Sequence, residues 1–120
     1  MVKLQPAKLL RVFLGELDQV GGRPLFEAVV NLARKEGIVG ATVLRGIESF
    51  GASGQLHTAK VLRLAEHLPL VVEIVDEEAK ITAFLEPLDA LLKESGTGSL
   101  VTLEAVQVVW YPGKQKGAGD

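Results

Sequence analysis

Lys35-Glu36-Gly37-Ile38-Val39-Gly40-Ala41-Thr42-Val43-Leu44-Arg45-Gly46-Ile47-Glu48-Ser49-Phe50-Gly51 joins a helix stop, a strand and a glycine-studded loop in one continuous piece. Gly37 follows the basic end of a helical pattern, where a residue without Cβ can take the left-handed backbone that closes the last turn. Ala41, Val43 and Leu44 read as strand, giving a second strand from about Val39 to Arg45. Gly46, Gly51 and Gly54 follow, with Phe50 among them. Strand ends that leave the sheet with so free a backbone are where ligands and partners are usually met.

Upstream, Leu9, Leu10, Val12, Phe13 and Leu14 form an apolar run ended by Gly15, the pattern of a covered first strand. Glu16, Asp18, Gly21, Gly22 and Pro24 make a breaker-rich loop. Leu25, Phe26, Val29, Val30, Leu32 and Ala33 then repeat at helical spacing. Downstream, 47–57 reads as an exposed, mobile loop, and 58–66 fits a helical turn or a strand edge equally. Leu70 to Val75 reads as a third strand, with Asp76 at the N-cap position of a second helix. Ile81, Phe84, Leu85, Leu88, Leu91 and Leu92 form that helix's apolar stripe, which Pro87 is expected to kink without ending. Ser95 to Ser99 is a loop, Leu100 to Tyr111 a last strand closed by Pro112, and 113–120 a disordered tail.

The order strand, helix, strand, strand, helix, strand is the ferredoxin-like split βαβ plan, an α+β sandwich with two helices on one face of an antiparallel sheet. The halves echo each other, Leu-Ala-Arg-Lys-Glu-Gly before one strand and Leu-Leu-Lys-Glu-Ser-Gly before another. One domain over 1–112 suits a chain of 120 residues with 48% hydrophobic content. A net charge of −2 gives no clustered basic surface for nucleic acid. The absence of cysteine rules out disulfides and thiolate chemistry and fits a cytoplasmic location. No apolar run is long enough to enter a membrane. A mean hydropathy of +0.27 is high for so small a chain and points to apolar surface hidden between subunits.

The block Gly37 to Ile47 with Phe50-Gly51, then His57-Thr58-Ala59-Lys60, Leu68 to Asp76 and Leu100-Val101-Thr102-Leu103-Glu104, resembles domain of unknown function 190, which is grouped with the PII-like signalling proteins. The match runs from about Leu9 to Tyr111. The resemblance implies a ferredoxin-like homotrimer that binds small effectors, often adenine nucleotides, in clefts between subunits. By position, Ile47 to His57 corresponds to the loop that meets effectors and partners, and Ser95 to Ser99 to the phosphate loop. It implies a sensor that changes a partner's activity, a membrane transporter being one candidate, and not a catalyst.

Residue by residue, Arg45 is the candidate anion grip at a strand end, with Glu48 as its alternative salt-bridge partner. Gly46 and Gly51 would let backbone approach a ligand, and Phe50 would stack on a base or tuck into the core. Gly96, Thr97, Gly98 and Ser99 offer backbone N–H groups and hydroxyls to a phosphate, against a plain tight turn. No lysine follows that loop and the last strand carries no arginine. The available cations are Arg45, Arg11, Lys60, Lys114 and Lys116, which suits a monophosphate, a cyclic nucleotide or another small anion. His57 supports a second reading, a divalent-metal-binding protein of the cation-tolerance type, although no zinc-like ligand spacing is present. Glu16 and Asp18 would be an acid–base pair only if they shared a pocket, and Asp18 equally suits turn capping. No nucleophile, base and oxyanion donor converge, which leaves a small dimeric barrel enzyme as a third reading. Trp110 and Tyr111 are assigned to core or interface.

Overall fold

The computed structural model describes residues 1–50, 56–58 and 68–113. Its elements in chain order are β1 (Gln5–Gly15), β2 (Gln19–Val20), β3 (Arg23–Pro24), α1 (Leu25–Lys35), β4 (Ala41–Arg45), β5 (Glu48–Phe50), β6 (Leu56–Thr58), β7 (Pro69–Asp76), α2 (Glu78–Ser95) and β8 (Leu100–Val108). β4, β7, β1 and β8 lie side by side in that order, every neighbouring pair antiparallel. This is the split βαβ arrangement read from the sequence, with β1 longer than its apolar run and β4 beginning two residues later than the run it was read from.

Alternation along the two central strands decides which face is covered. Leu10, Val12 and Leu14 of β1 and Leu70, Val72 and Ile74 of β7 point to the helices and are buried. They meet Leu25, Ala28, Val29 and Ala33 of α1, spaced to form one helical stripe, and Ile81, Phe84 and Leu88 of α2. Burying each Leu, Ile or Phe contributes roughly 1.5–3 kcal/mol. Among the described residues the other face carries no helix, and Phe13 and Leu44 stand on it about 36% and 47% exposed.

Both helix ends follow the glycine logic of the repeated motif. Gly37 has φ of 81°, its N–H donates to the Arg34 carbonyl, and the Ile38 N–H donates to the Ala33 carbonyl, the paired bonds of a Schellman motif. Gly96 also ends α2 in the left-handed region, with φ of 71° and its N–H on the Lys93 carbonyl, while the next N–H, of Thr97, donates to Ser95 Oγ. Lys80 Nζ donates to the Gly37 carbonyl at 2.7 Å, placing a cation from the start of α2 at the negative end of α1. α2 runs unbroken through Pro87.

Four expectations change. The Gly21-Gly22 segment is the turn of a small hairpin, β2 paired with β3, and both glycines have positive φ as a two-residue type I′ turn requires. Residues 47–57 are not an open loop throughout, because Glu48, Ser49 and Phe50 pair with Thr58, His57 and Leu56 as a second hairpin. Asp76 is not the N-cap of α2; Glu77 holds that place, and Asp76, only 5% exposed, closes β7. Its Oδ1 accepts the Glu77 N–H at 2.7 Å and its Oδ2 the Val39 N–H at 2.9 Å, so one carboxylate ties the start of α2 to the segment leading into β4. Trp110 and Tyr111 are exposed and take no part in the core, because β8 ends at Val108 and carries the chain off the sheet. Residues 59–66 and the tail 114–120 lie outside the described residues.

Two substitutions measure these contributions. Asp76→Ala leaves the Val39 N–H without its acceptor and is expected to lower stability by about 1–3 kcal/mol. Phe84→Ala removes the largest fully buried side chain among the described residues and is expected to cost about 3–5 kcal/mol. Urea midpoints at unchanged slope read both, and wild-type midpoints would contradict the assignments.

Candidate functional site

The register puts the C-terminal ends of β4 and β1 and the N-terminal ends of β7 and β8 at one end of the sheet, since Arg45 faces Leu70, Leu70 faces Leu14, and Phe13 faces Leu100. Arg45, Gly46 and the loop from Gly96 to Ser99 therefore share that end. They do not meet. β4 and β8 are the two outer strands, and three inter-strand steps separate their ends by about 14 Å.

At the β4 corner the Arg45 guanidinium is 59% exposed and pairs through Nη2 with Glu16 Oε2; the side chain of Glu48, its other candidate partner, lies outside the described residues. Glu16 is held by its N–H on the Leu68 carbonyl at 2.8 Å, just beyond the last pair of the β1–β7 ladder. Asp18 does not join it as an acid–base partner. Its Oδ2 accepts the Gly15 N–H at 2.8 Å and its carbonyl accepts the Leu25 N–H at 2.8 Å, a turn-capping role that leads the chain into α1. The Gly46 N–H donates to the Pro69 carbonyl at 2.7 Å, extending the β4–β7 ladder by one bond. A Cβ at Gly46 would stand 3.0 Å from the Pro69 ring, so this glycine is accounted for by close packing against the neighbouring strand.

At the β8 corner the hydroxyls are partly spent within the loop. Ser95 Oγ donates to the Leu92 carbonyl at 2.7 Å, lies 3.1 Å from Thr97 Oγ1, and accepts the Thr97 N–H at 3.3 Å. Gly98 and Ser99 are exposed. The backbones of Phe50 and His57 lie in β5 and β6, whereas Gly51, His67, Lys60, Lys114 and Lys116 are outside the described residues. Among the described residues no three His, Asp or Glu side chains gather as a metal site would need.

Arg11 is the site residue that the structure reassigns. It lies on the uncovered face at the centre of the sheet, with Nε 2.9 Å from Glu73 Oε2 and Nη1 against Glu104 Oε1. Those hydrogen bonds, that of Glu73 first, hold its pKa above the ordinary arginine value, so it is a committed partner of two carboxylates rather than a cation kept for an anion. The available signal was a charge inside each of three apolar strands, Leu10-Arg11-Val12, Val72-Glu73-Ile74 and Leu103-Glu104-Ala105. Only pairing register shows that the three are neighbours.

The family model for domain of unknown function 190, described as an uncharacterized ACR, matches residues 7–108. A UPF0166 protein of Aquifex aeolicus is 40% identical over 103 residues, 86% of this chain and 93% of that protein. A UPF0166 protein of Methanocaldococcus jannaschii is 34% identical over 90 residues, 75% of this chain and 82% of that one. CPII, a nitrogen regulatory PII-like protein from Thiomonas intermedia whose structure holds ADP, AMP and bicarbonate, superposes with a TM-score of 0.72 at 17% identity, over 92% of this chain and 94% of that one. Its apo form superposes with a TM-score of 0.60 at 17% identity, over 90% and 97% of the two chains. No described helix here is long and apolar enough to cross a membrane. A family match reaching from β1 to the end of β8, with relatives alike along most of their length, makes this chain a member of the domain of unknown function 190 family, built on the PII-like fold.

Proposed function

We propose that this protein is a PII-like regulator in which copies of the chain associate and a small anionic effector, an adenine nucleotide in the first instance, binds at the seams between them. The observation that carries this reading is the separation of the two candidate half-sites. Arg45 and Gly46 stand at one outer strand and the Gly96–Ser99 loop at the other, too far apart to grip one small ligand within a single chain. Two copies that bring the β4 corner of one to the β8 corner of the next would complete a site with a guanidinium on one side and exposed backbone N–H groups on the other. Arg45 suits the role because its side chain is exposed and the carboxylate it meets, that of Glu16, is one an anion can replace. The likeness to CPII, whose structure contains ADP, AMP and bicarbonate, supports the choice of ligand class.

The hairpin of β5 and β6 leaves β4 after Gly46 and Ile47, two residues from Arg45. Effector binding at the seam would bear directly on that hairpin, and a partner protein, a membrane transporter among the candidates, would read its position. Nothing in this scheme requires a covalent step, so the protein acts by binding. The metal-binding alternative rests on His57 alone and is carried as an arm of the test below.

Thermal denaturation with AMP, ADP, cyclic AMP, bicarbonate and divalent metals tests the proposal. At one hundred times its dissociation constant a ligand of the native state adds about 2.7 kcal/mol, a rise on the order of 10 °C. The rise is expected with an adenine nucleotide and lost in Arg45→Ala. A rise with metals alone, abolished by His57→Ala, would replace this reading with the metal-binding one.

A further inference from the structure

The start of β7 is held from both sides. The Glu16 N–H donates to the Leu68 carbonyl at 2.8 Å from the β1 side, and the Gly46 N–H donates to the Pro69 carbonyl at 2.7 Å from the β4 side. Pro69 has no N–H to give in return. The same two flanks are joined by the ion pair of Arg45, the last residue of β4, with Glu16, the first residue past β1. Because β7 lies between β4 and β1, this pair reaches across it and closes a ring: Glu16 to Leu68, Pro69 to Gly46, and Arg45 back to Glu16. The chain that carries the β5–β6 hairpin leaves this ring at Gly46 and re-enters it at Leu68.

We infer that Glu16 is a built-in competitor of the effector, and that the anion which takes Arg45 from it also unclasps the base of the hairpin. The inference rests on the effector reading of Arg45. It adds the residue that sets the affinity and the contact that reports occupancy. Glu16 holds the guanidinium through Nη2, the nitrogen common to both two-bond forks of an arginine. An oxyanion that binds Arg45 through either fork therefore meets the Glu16 carboxylate at that nitrogen, and like charges do not share it. An exposed pair of this kind favours its closed form only by a factor of about two to five. That is enough to keep the ring closed most of the time, and little enough for a ligand to open it. A carboxylate that merely oriented Arg45 toward the ligand would act in the opposite sense, since its removal would weaken binding.

The sign of the change sets the experiment. Calorimetric titration with AMP at fixed ionic strength is run on the wild-type protein, Glu16→Gln and Glu16→Ala, with circular dichroism to show that all three fold alike. Both variants are expected to bind AMP about two- to fivefold more tightly than wild type. Amide hydrogen exchange supplies the second reading, one that the loss of a distant charge would not move. In the empty variants the amides of residue 16 and Gly46 are expected to exchange faster than in the empty wild type, and AMP is expected to speed the same two amides in the wild type. Variants that bind AMP as wild type does, or more weakly, overturn the inference, as does exchange at those amides that neither substitution nor AMP alters. Should wild type and variants alike ignore AMP, the effector reading falls and this inference with it. A wild type that responds to AMP beside variants that behave identically removes this inference alone.

Discussion

A four-stranded sheet whose two described helices, α1 and α2, both pack on one side is the constraint from which everything else here follows. α1 and α2 use up the even positions of β1 and β7, building the core from Leu10, Val12, Leu70, Val72 and Ile74 against Phe84, Ile81 and Leu88. The odd positions inherit the opposite face and cannot reach that core, because successive side chains in a strand point to opposite sides. What those positions carry is therefore not dictated by that core. They carry Val, Leu and Phe together with an arginine held between two glutamates.

The same topology governs the candidate ligand site. In this arrangement the last strands of the two halves are separated, β4 at one edge and β8 at the other, with β7 and β1 between them. Each edge ends in a structure with ligand-binding potential, an exposed arginine at one and a glycine-capped helix end followed by an open loop at the other. Within one chain these two candidate corners stand about 14 Å apart. The open face and the separated candidate corners are thus two consequences of one strand order.

Several features near the site are structural and account for residues that could otherwise be mistaken for machinery. Asp76 is a buried carboxylate, yet both its oxygens are occupied by backbone N–H groups that fasten β7, α2 and the entry to β4 together. Asp18 caps the turn after β1, and Gly46 packs so closely on Pro69 that a Cβ there would press on its ring. Lys80 neutralises the end of α1 across the αα contact. These groups define the frame that holds Arg45 and the β8 corner in place.

The sequence by itself determined the element order, the two glycine-closed helix ends, the one-sided apolar stripes and the kinship with the PII-like fold, because each depends on residues close together along the chain. Helical spacing in 25–33 and 81–92, β-branched runs in 70–75 and the Gly-Ala-Thr-Val-Leu-Arg-Gly block are all local signals. Only the tertiary structure decided that Arg45 pairs with Glu16, that Asp76 bonds to Val39 rather than capping its own helix, and that Arg11 lies between Glu73 and Glu104. Those partners are separated by tens of residues, and strand register, which local composition does not encode, brings them together. One residue of slip would send every one of these side chains to the other face.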